Sequence, residues 1–174
     1  MQPPDILTGF APVLPVKPKV LVLGSMPGSA SLTAQRYYAH PRNAFWPVMQ
    51  SLFDIDAALP YGERLKRLRN VGVALWDVVH QCRRSGSLDT AIETDSVVVN
   101  DIAGLLQQNA SITAVFCNGG GAWQLLHRHF LRPNSVNPVR VPVYKMPSTS
   151  PANARLSLPQ KCVEWQLLKQ AVES

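Results

Sequence analysis

Lys19-Val20-Leu21-Val22-Leu23-Gly24-Ser25-Met26-Pro27-Gly28 reads as a strand that runs straight into a glycine-bearing loop. A short apolar run of branched residues, stopped by glycine and proline, suits a strand buried on both faces. Three further stretches share this form: Gly72-Val73-Ala74-Leu75-Trp76, Ile112-Thr113-Ala114-Val115-Phe116 and Val141-Pro142-Val143-Tyr144-Lys145. Each is bounded by turn-forming residues. Pro142 moves the last of them toward a sheet edge, because it has no N–H for a ladder.

Helical spacing separates these strands. It predicts helices over 43–53, 101–109, 122–130 and 158–172, with Pro159 at a first-turn position where its missing N–H costs nothing. Strands alternating with helices imply right-handed crossovers. The expected fold is α/β, a three-layer α/β/α sandwich around a mainly parallel four-stranded sheet. With 174 residues the chain suits one domain, over 19–174. Residues 1–18 carry five prolines and read as an irregular lead-in.

Ligands of such sheets gather at the carboxyl ends of the strands. The segments that follow the four strands are 24–28, 77–80, 118–121 and 147–154, and they hold much of the chain's polar and glycine-rich punctuation. A site is expected where they converge. Asn118-Gly119-Gly120-Gly121 lacks the Gly-x-Gly-x-x-Gly spacing of a dinucleotide loop and reads as a tight strand-to-helix turn.

A formal net charge of +6 favours a polyanionic partner, since neutralised phosphates release counterions. Cys82, Cys117 and Cys162 are odd in number and far apart, which argues for free thiols over disulfides or a cluster. His127 and His129 are two apart and would leave a helix on different faces, so no metal site and no cofactor are expected. No apolar run reaches bilayer length, and Met1-Gln2-Pro3-Pro4-Asp5 does not resemble a secretory leader. A cytoplasmic monomer with no membrane association is the expectation.

Gly24-Ser25-Met26-Pro27-Gly28 is neither a Walker loop, which ends in Gly-Lys-Ser/Thr, nor a serine-hydrolase elbow, which centres on serine where Met26 stands. Alone it is a turn. It is followed, however, by Tyr37-Tyr38-Ala39-His40-Pro41-Arg42-Asn43-Ala44-Phe45-Trp46 and, after the last strand, by Met146-Pro147-Ser148-Thr149-Ser150-Pro151-Ala152-Asn153-Ala154-Arg155.

Together these segments resemble the two motifs of the uracil-DNA glycosylase superfamily, in the right order over about residues 19–170. In most branches the first motif supplies an Asn or Asp that positions the attacking water. Here Met26 stands at that position and cannot hydrogen-bond usefully. The Gly-Ser-Met-Pro-Gly form looks like the hypoxanthine-DNA glycosylase group, in which catalysis is associated with the asparagine of the His-Pro-Arg-Asn segment. That residue corresponds to Asn43.

The resemblance implies base-excision repair: hydrolysis of the N-glycosidic bond of a deaminated base flipped out of DNA, most of all hypoxanthine. Two alternatives stay open, a uracil or thymine mismatch glycosylase and a catalytically silent DNA-binding module. Bond cleavage leaves positive charge on the sugar and negative charge on the base, so the protein needs to place a water and stabilise the leaving group. Asn43 suits the first task, although Asn is also a favoured helix cap. Gly24, Ser25 and Met26 would form the base-binding loop, Tyr38 would stack on the base, and Asp77 would accept a donor from its edge. Arg42, Ser148, Thr149, Ser150, Asn153 and Arg155 are the candidate DNA-backbone residues. Tyr37 is expected to pack into the domain and His40 to bond within the loop.

Overall fold

The computed structural model of the chain describes residues 5–174. Four strands, β2 (Val20–Gly24), β3 (Val73–Asp77), β6 (Ala114–Asn118) and β7 (Val143–Met146), form one sheet in the order β3-β2-β6-β7. Every pairing in it is parallel. The expected three-layer architecture is therefore present. β7 is an edge strand, and Pro142 lies just before it, outside the strand, its carbonyl accepting from Val115 N–H.

Alternation along the strands feeds two cores. Val20, Val22, Val73, Leu75 and Phe116 face one way, against α2 (Phe45–Phe53), α3 (Tyr61–Val71), α6 (Leu158–Glu164) and α7 (Gln166–Glu173). Leu21, Leu23, Ala74, Val115 and Cys117 face the other way, against α4 (Ile102–Gln108) and α5 (Gly120–Leu126). Burial on both faces explains why these strands read as continuous apolar runs rather than alternating ones. All three cysteines are free. Among the described residues no helix is long and apolar enough to cross a membrane.

Three features depart from the sequence-based expectation. First, β1 (Ile6–Thr8), β4 (Val79–Arg83) and β5 (Val98–Val99) form a small antiparallel sheet in the order β1-β4-β5. Part of the lead-in is thus a strand, and Val13 bridges to Leu75 beyond it; residues 1–4 lie outside the described residues. Second, α1 (Ser29–Ala34) and α3 were not expected as helices. Third, the helix expected over 158–172 breaks at Trp165, whose ψ of −3° separates α6 from α7. Trp165 is fully buried there and donates its Nε1–H to the Pro147 carbonyl at 3.0 Å. Satisfying that indole in the core fixes the bend. The start of α6 fits the sequence: Ser157 and Gln160 form a reciprocal capping box, with Pro159 in the first turn.

Candidate active site

Gly24, Asp77, Asn118 and Met146 are the last residues of the four parallel strands. The loops beyond them, with the 37–43 segment, enclose a cleft of about 530 Å³. Three of the four expected loops converge on one end of the sheet; of 77–80 only Asp77 reaches the cleft, because the chain enters β4 at Val79.

Gly24 sits opposite Asp77 in the β2–β3 register. A Cβ at position 24 would lie 2.3 Å from Asp77 Oδ1, so only glycine lets that carboxylate occupy the cleft wall. Asp77 is buried, and its Oδ2 has no hydrogen-bond partner. Burial pushes its carboxyl up to about 7, Asp89 nearby pushes the same way, and Arg84 opposes them. An unpartnered buried oxygen costs free energy, and a ligand's donor would satisfy it.

Tyr38 also lines the cleft. Its φ of 56° is left-handed, which costs a non-glycine residue about 1–3 kcal/mol and has to be held by its surroundings. Two contacts hold it: the ring stacks on Phe45 at 4.0 Å with 19° between planes, and the next residue's N–H bonds Ser31 Oγ at 3.1 Å. Its hydroxyl is buried without a partner, and burial first, then Asp77, keep it protonated. Tyr37 turns into the core and donates its hydroxyl to the Ala11 carbonyl, as expected.

Asn43 both bonds the start of α2 and borders the cleft. Its Oδ1 accepts from Phe45 N–H at 2.9 Å at the start of α2, and the side chain borders the cleft. That bond fixes the rotamer while leaving a second lone pair on Oδ1 for a further donor. His40 accepts Arg42 N–H on Nδ1 at 3.0 Å and Asn43 N–H on its carbonyl at 2.9 Å, closing the turn that presents Asn43.

Ser25 and Met26 are buried, Met26 within the core cluster under the cleft. Ser25 Oγ donates to Asp89 Oδ1 at 2.5 Å. Its proton is therefore committed to a carboxylate that sequence reasoning did not single out. Asp89 belongs to a loop that latches onto the first motif. Arg84, buried, donates to the Pro27 carbonyl at 2.7 Å and to the Gly86 carbonyl at 2.8 Å, and Ser87 Oγ accepts from Ser29 N–H at 2.9 Å. Arg84-Ser85-Gly86-Ser87-Leu88-Asp89, with its serines and glycine after the second parallel strand, carried the signal.

The second motif is locked from within. Thr149, almost fully buried, donates its N–H to Asn118 Oδ1 and accepts Asn118 Nδ2–H on Oγ1, both at 2.9 Å. Its carbonyl takes Ala44 N–H, tying this loop to the first motif. Ser148 Oγ accepts Ser150 N–H, Ser150 Oγ accepts Ala152 N–H, and Asn153 Nδ2 donates to the Ser148 carbonyl. Gly119 has a φ of 98°, and a Cβ there would lie 2.8 Å from Ser148 Cβ, so both the backbone and the close approach of the second motif call for glycine. From behind, buried Lys161 donates to the Asn153 carbonyl at 3.0 Å. Ser148, Thr149, Ser150 and Asn153 all reach the cleft, whereas Arg42 and Arg155 are exposed and stand outside its wall.

Residues 11–170 match the Uracil DNA glycosylase superfamily, and the chain belongs to that superfamily. Among curated relatives, the chain is 30% identical over 164 residues to a hypoxanthine DNA glycosylase of Methanosarcina acetivorans, covering 92% of this chain and 96% of that one. It is 34% identical over 112 residues to the protein of the same description from Methanosarcina barkeri, covering 64% and 70%. The solution NMR structure of a candidate uracil DNA glycosylase from M. acetivorans superposes with a TM-score of 0.78 at 29% identity, over 98% of this chain and all of that one.

Proposed function

We propose that this protein is a monofunctional DNA glycosylase of base-excision repair that hydrolyses the N-glycosidic bond of deoxyinosine and releases hypoxanthine. The observation that carries the reading is the unpartnered Asp77 carboxylate in a cleft bordered by Asn43. Deamination of adenine turns an acceptor at N1 into an N1–H donor. An ionised carboxylate facing that edge accepts from hypoxanthine and repels the lone pair of adenine. The names of the curated relatives support the same substrate.

In this scheme the flipped base enters beside Tyr38, whose ring is braced by its stack on Phe45. Asn43, held by its bond to Phe45 N–H, accepts a hydrogen bond from the attacking water and so aims the water's oxygen at the anomeric carbon. The new C–O bond forms as the C–N bond breaks, the bonding pair leaves with the base, and the water's proton passes to base or solvent. Ser148, Ser150 and the Asn153 loop grip the backbone of the extruded nucleotide, while Thr149 keeps that loop in place. No lysine stands in the cleft wall, which supports hydrolysis without a Schiff base or strand cleavage.

Uracil also presents a ring N–H, so the test must include it. Duplexes carrying inosine, uracil or neither are incubated with the protein and then heated in alkali. Cleavage at inosine alone is expected. Cleavage at uracil alone would replace the substrate, and intact strands in every duplex would overturn the reading.

A further inference from the structure

Beside the cleft lies a second hollow of about 280 Å³, and Tyr38, His40 and Asn43 wall both. Its far side is built from Arg36, Tyr61, Arg64 and Trp46. The Arg64 guanidinium lies 4.7 Å from the centre of the Trp46 ring, and its Nε donates to the Leu59 carbonyl at 3.0 Å, so the side chain is fixed. Arg36 and Arg64 then converge on one aromatic ring, their guanidinium carbons 5.6 and 5.5 Å from the centre of Tyr61. Tyr61 is itself anchored, its hydroxyl accepting Tyr37 N–H at 2.9 Å.

Ion pairs among the described residues are Arg83–Glu93 and Lys169–Glu173, so neither arginine of the hollow meets a carboxylate. Two guanidiniums gathered without a counter-charge repel one another, and a bound anion relieves this. Helix α3 adds Lys66, Arg67 and Arg69 against the single acid Glu63, which extends the positive field. Planar arginine forks match phosphate oxygens in a way that a lysine does not.

Resting on the glycosylase reading, we infer that Arg36 and Arg64 form a subsite for a backbone phosphodiester next to the extruded nucleotide. The shared wall sets its place: a strand whose sugar sits against Asn43 passes its next phosphate over the neighbouring hollow. Tyr61 and Trp46 support the two arginines from below. Neither arginine touches the reacting atoms; both set how the strand is seated.

The test is binding of an inosine duplex across a salt series by wild type, Arg36→Gln, Arg64→Gln and the double variant. Losing one phosphate contact should reduce the slope of log K against log salt by about 0.9. A single uncharged methylphosphonate is also walked along the lesion strand. At one flanking position it should weaken wild type and leave the double variant unchanged. Arg64→Gln loses its stack on Trp46, so thermal unfolding accompanies each measurement; Arg36 is exposed, and Arg36→Gln alone reads the slope if the other fails to fold. Unchanged slopes in variants of a protein that still releases hypoxanthine overturn the subsite and leave the enzyme reading intact. A wild type that binds no duplex overturns both.

Discussion

Gly24 faces Asp77 so closely that a methyl group in place of its hydrogen would lie 2.3 Å from the carboxylate. Gly24→Ala should therefore push the carboxylate aside without unfolding the sheet. A displacement of about 1 Å in such a site costs on the order of 100-fold in rate. Single-turnover release of hypoxanthine measures it, and a rate within twofold of wild type would show that Asp77 does not read the base.

Asp77 gives a pH signature with a definite sign. Its carboxyl is raised to about 7 in the fold, above the ordinary value of about 3.9 in an unfolded chain. The folded state therefore holds more protons between those values, and stability falls as pH rises from about 4 to about 7. Asp77→Asn removes this slope and should gain in melting temperature over wild type at pH 8 but not at pH 4. Base release by wild type should rise with pH as Asp77 ionises. In Asp89→Asn the midpoint should move down, because Asp89 is one of the charges holding it up.

Asn43→Ala should lose turnover while keeping most of its DNA affinity. It also loses the hydrogen bond to Phe45 N–H, a cost of about 1 kcal/mol. Asn43→Asp keeps an acceptor for that N–H, and its thermal unfolding should match wild type. Wild-type turnover in Asn43→Ala would remove the side chain from the mechanism.

Lys161 holds the second motif from behind through the Asn153 carbonyl. Lys161→Met keeps most of the buried volume and leaves that carbonyl unpaired, a penalty of about 1–3 kcal/mol. DNA binding should weaken several-fold, with base release at saturating enzyme reduced much less. Equal affinity in the variant would show that the loop needs no such support.

The parallel sheet could be read from the chain because burial on both faces leaves unbroken apolar runs such as Val20-Leu21-Val22-Leu23. The small antiparallel sheet could not. Its strands are two to five residues long, and β4 mixes Val79 and Cys82 with His80, Gln81 and Arg83, too short and too polar a pattern to carry a period. Helix α3 had a usable signal in Tyr61, Leu65 and Leu68, between Pro60 and the left-handed Gly72, masked by the charges around it. At the site, strand ends and motifs located Gly24, Asp77 and Asn43. Arg84 and Asp89 were missed because the local cue, serines and a glycine after the second parallel strand, marks a loop without saying that it folds back onto the first motif.

The last helix covers the first strand of the parallel sheet. Leu168 and Val172 belong to the core shared with Val20 and Val22, and Lys19 Nζ bonds the Val172 carbonyl at 3.1 Å. During synthesis, β2 therefore waits for almost the whole chain before its hydrophobic side is sheltered. A ribosome stalled short of residue 165 would display a sticky, half-covered sheet, and quality-control proteases would see the fragment long before it met a lesion.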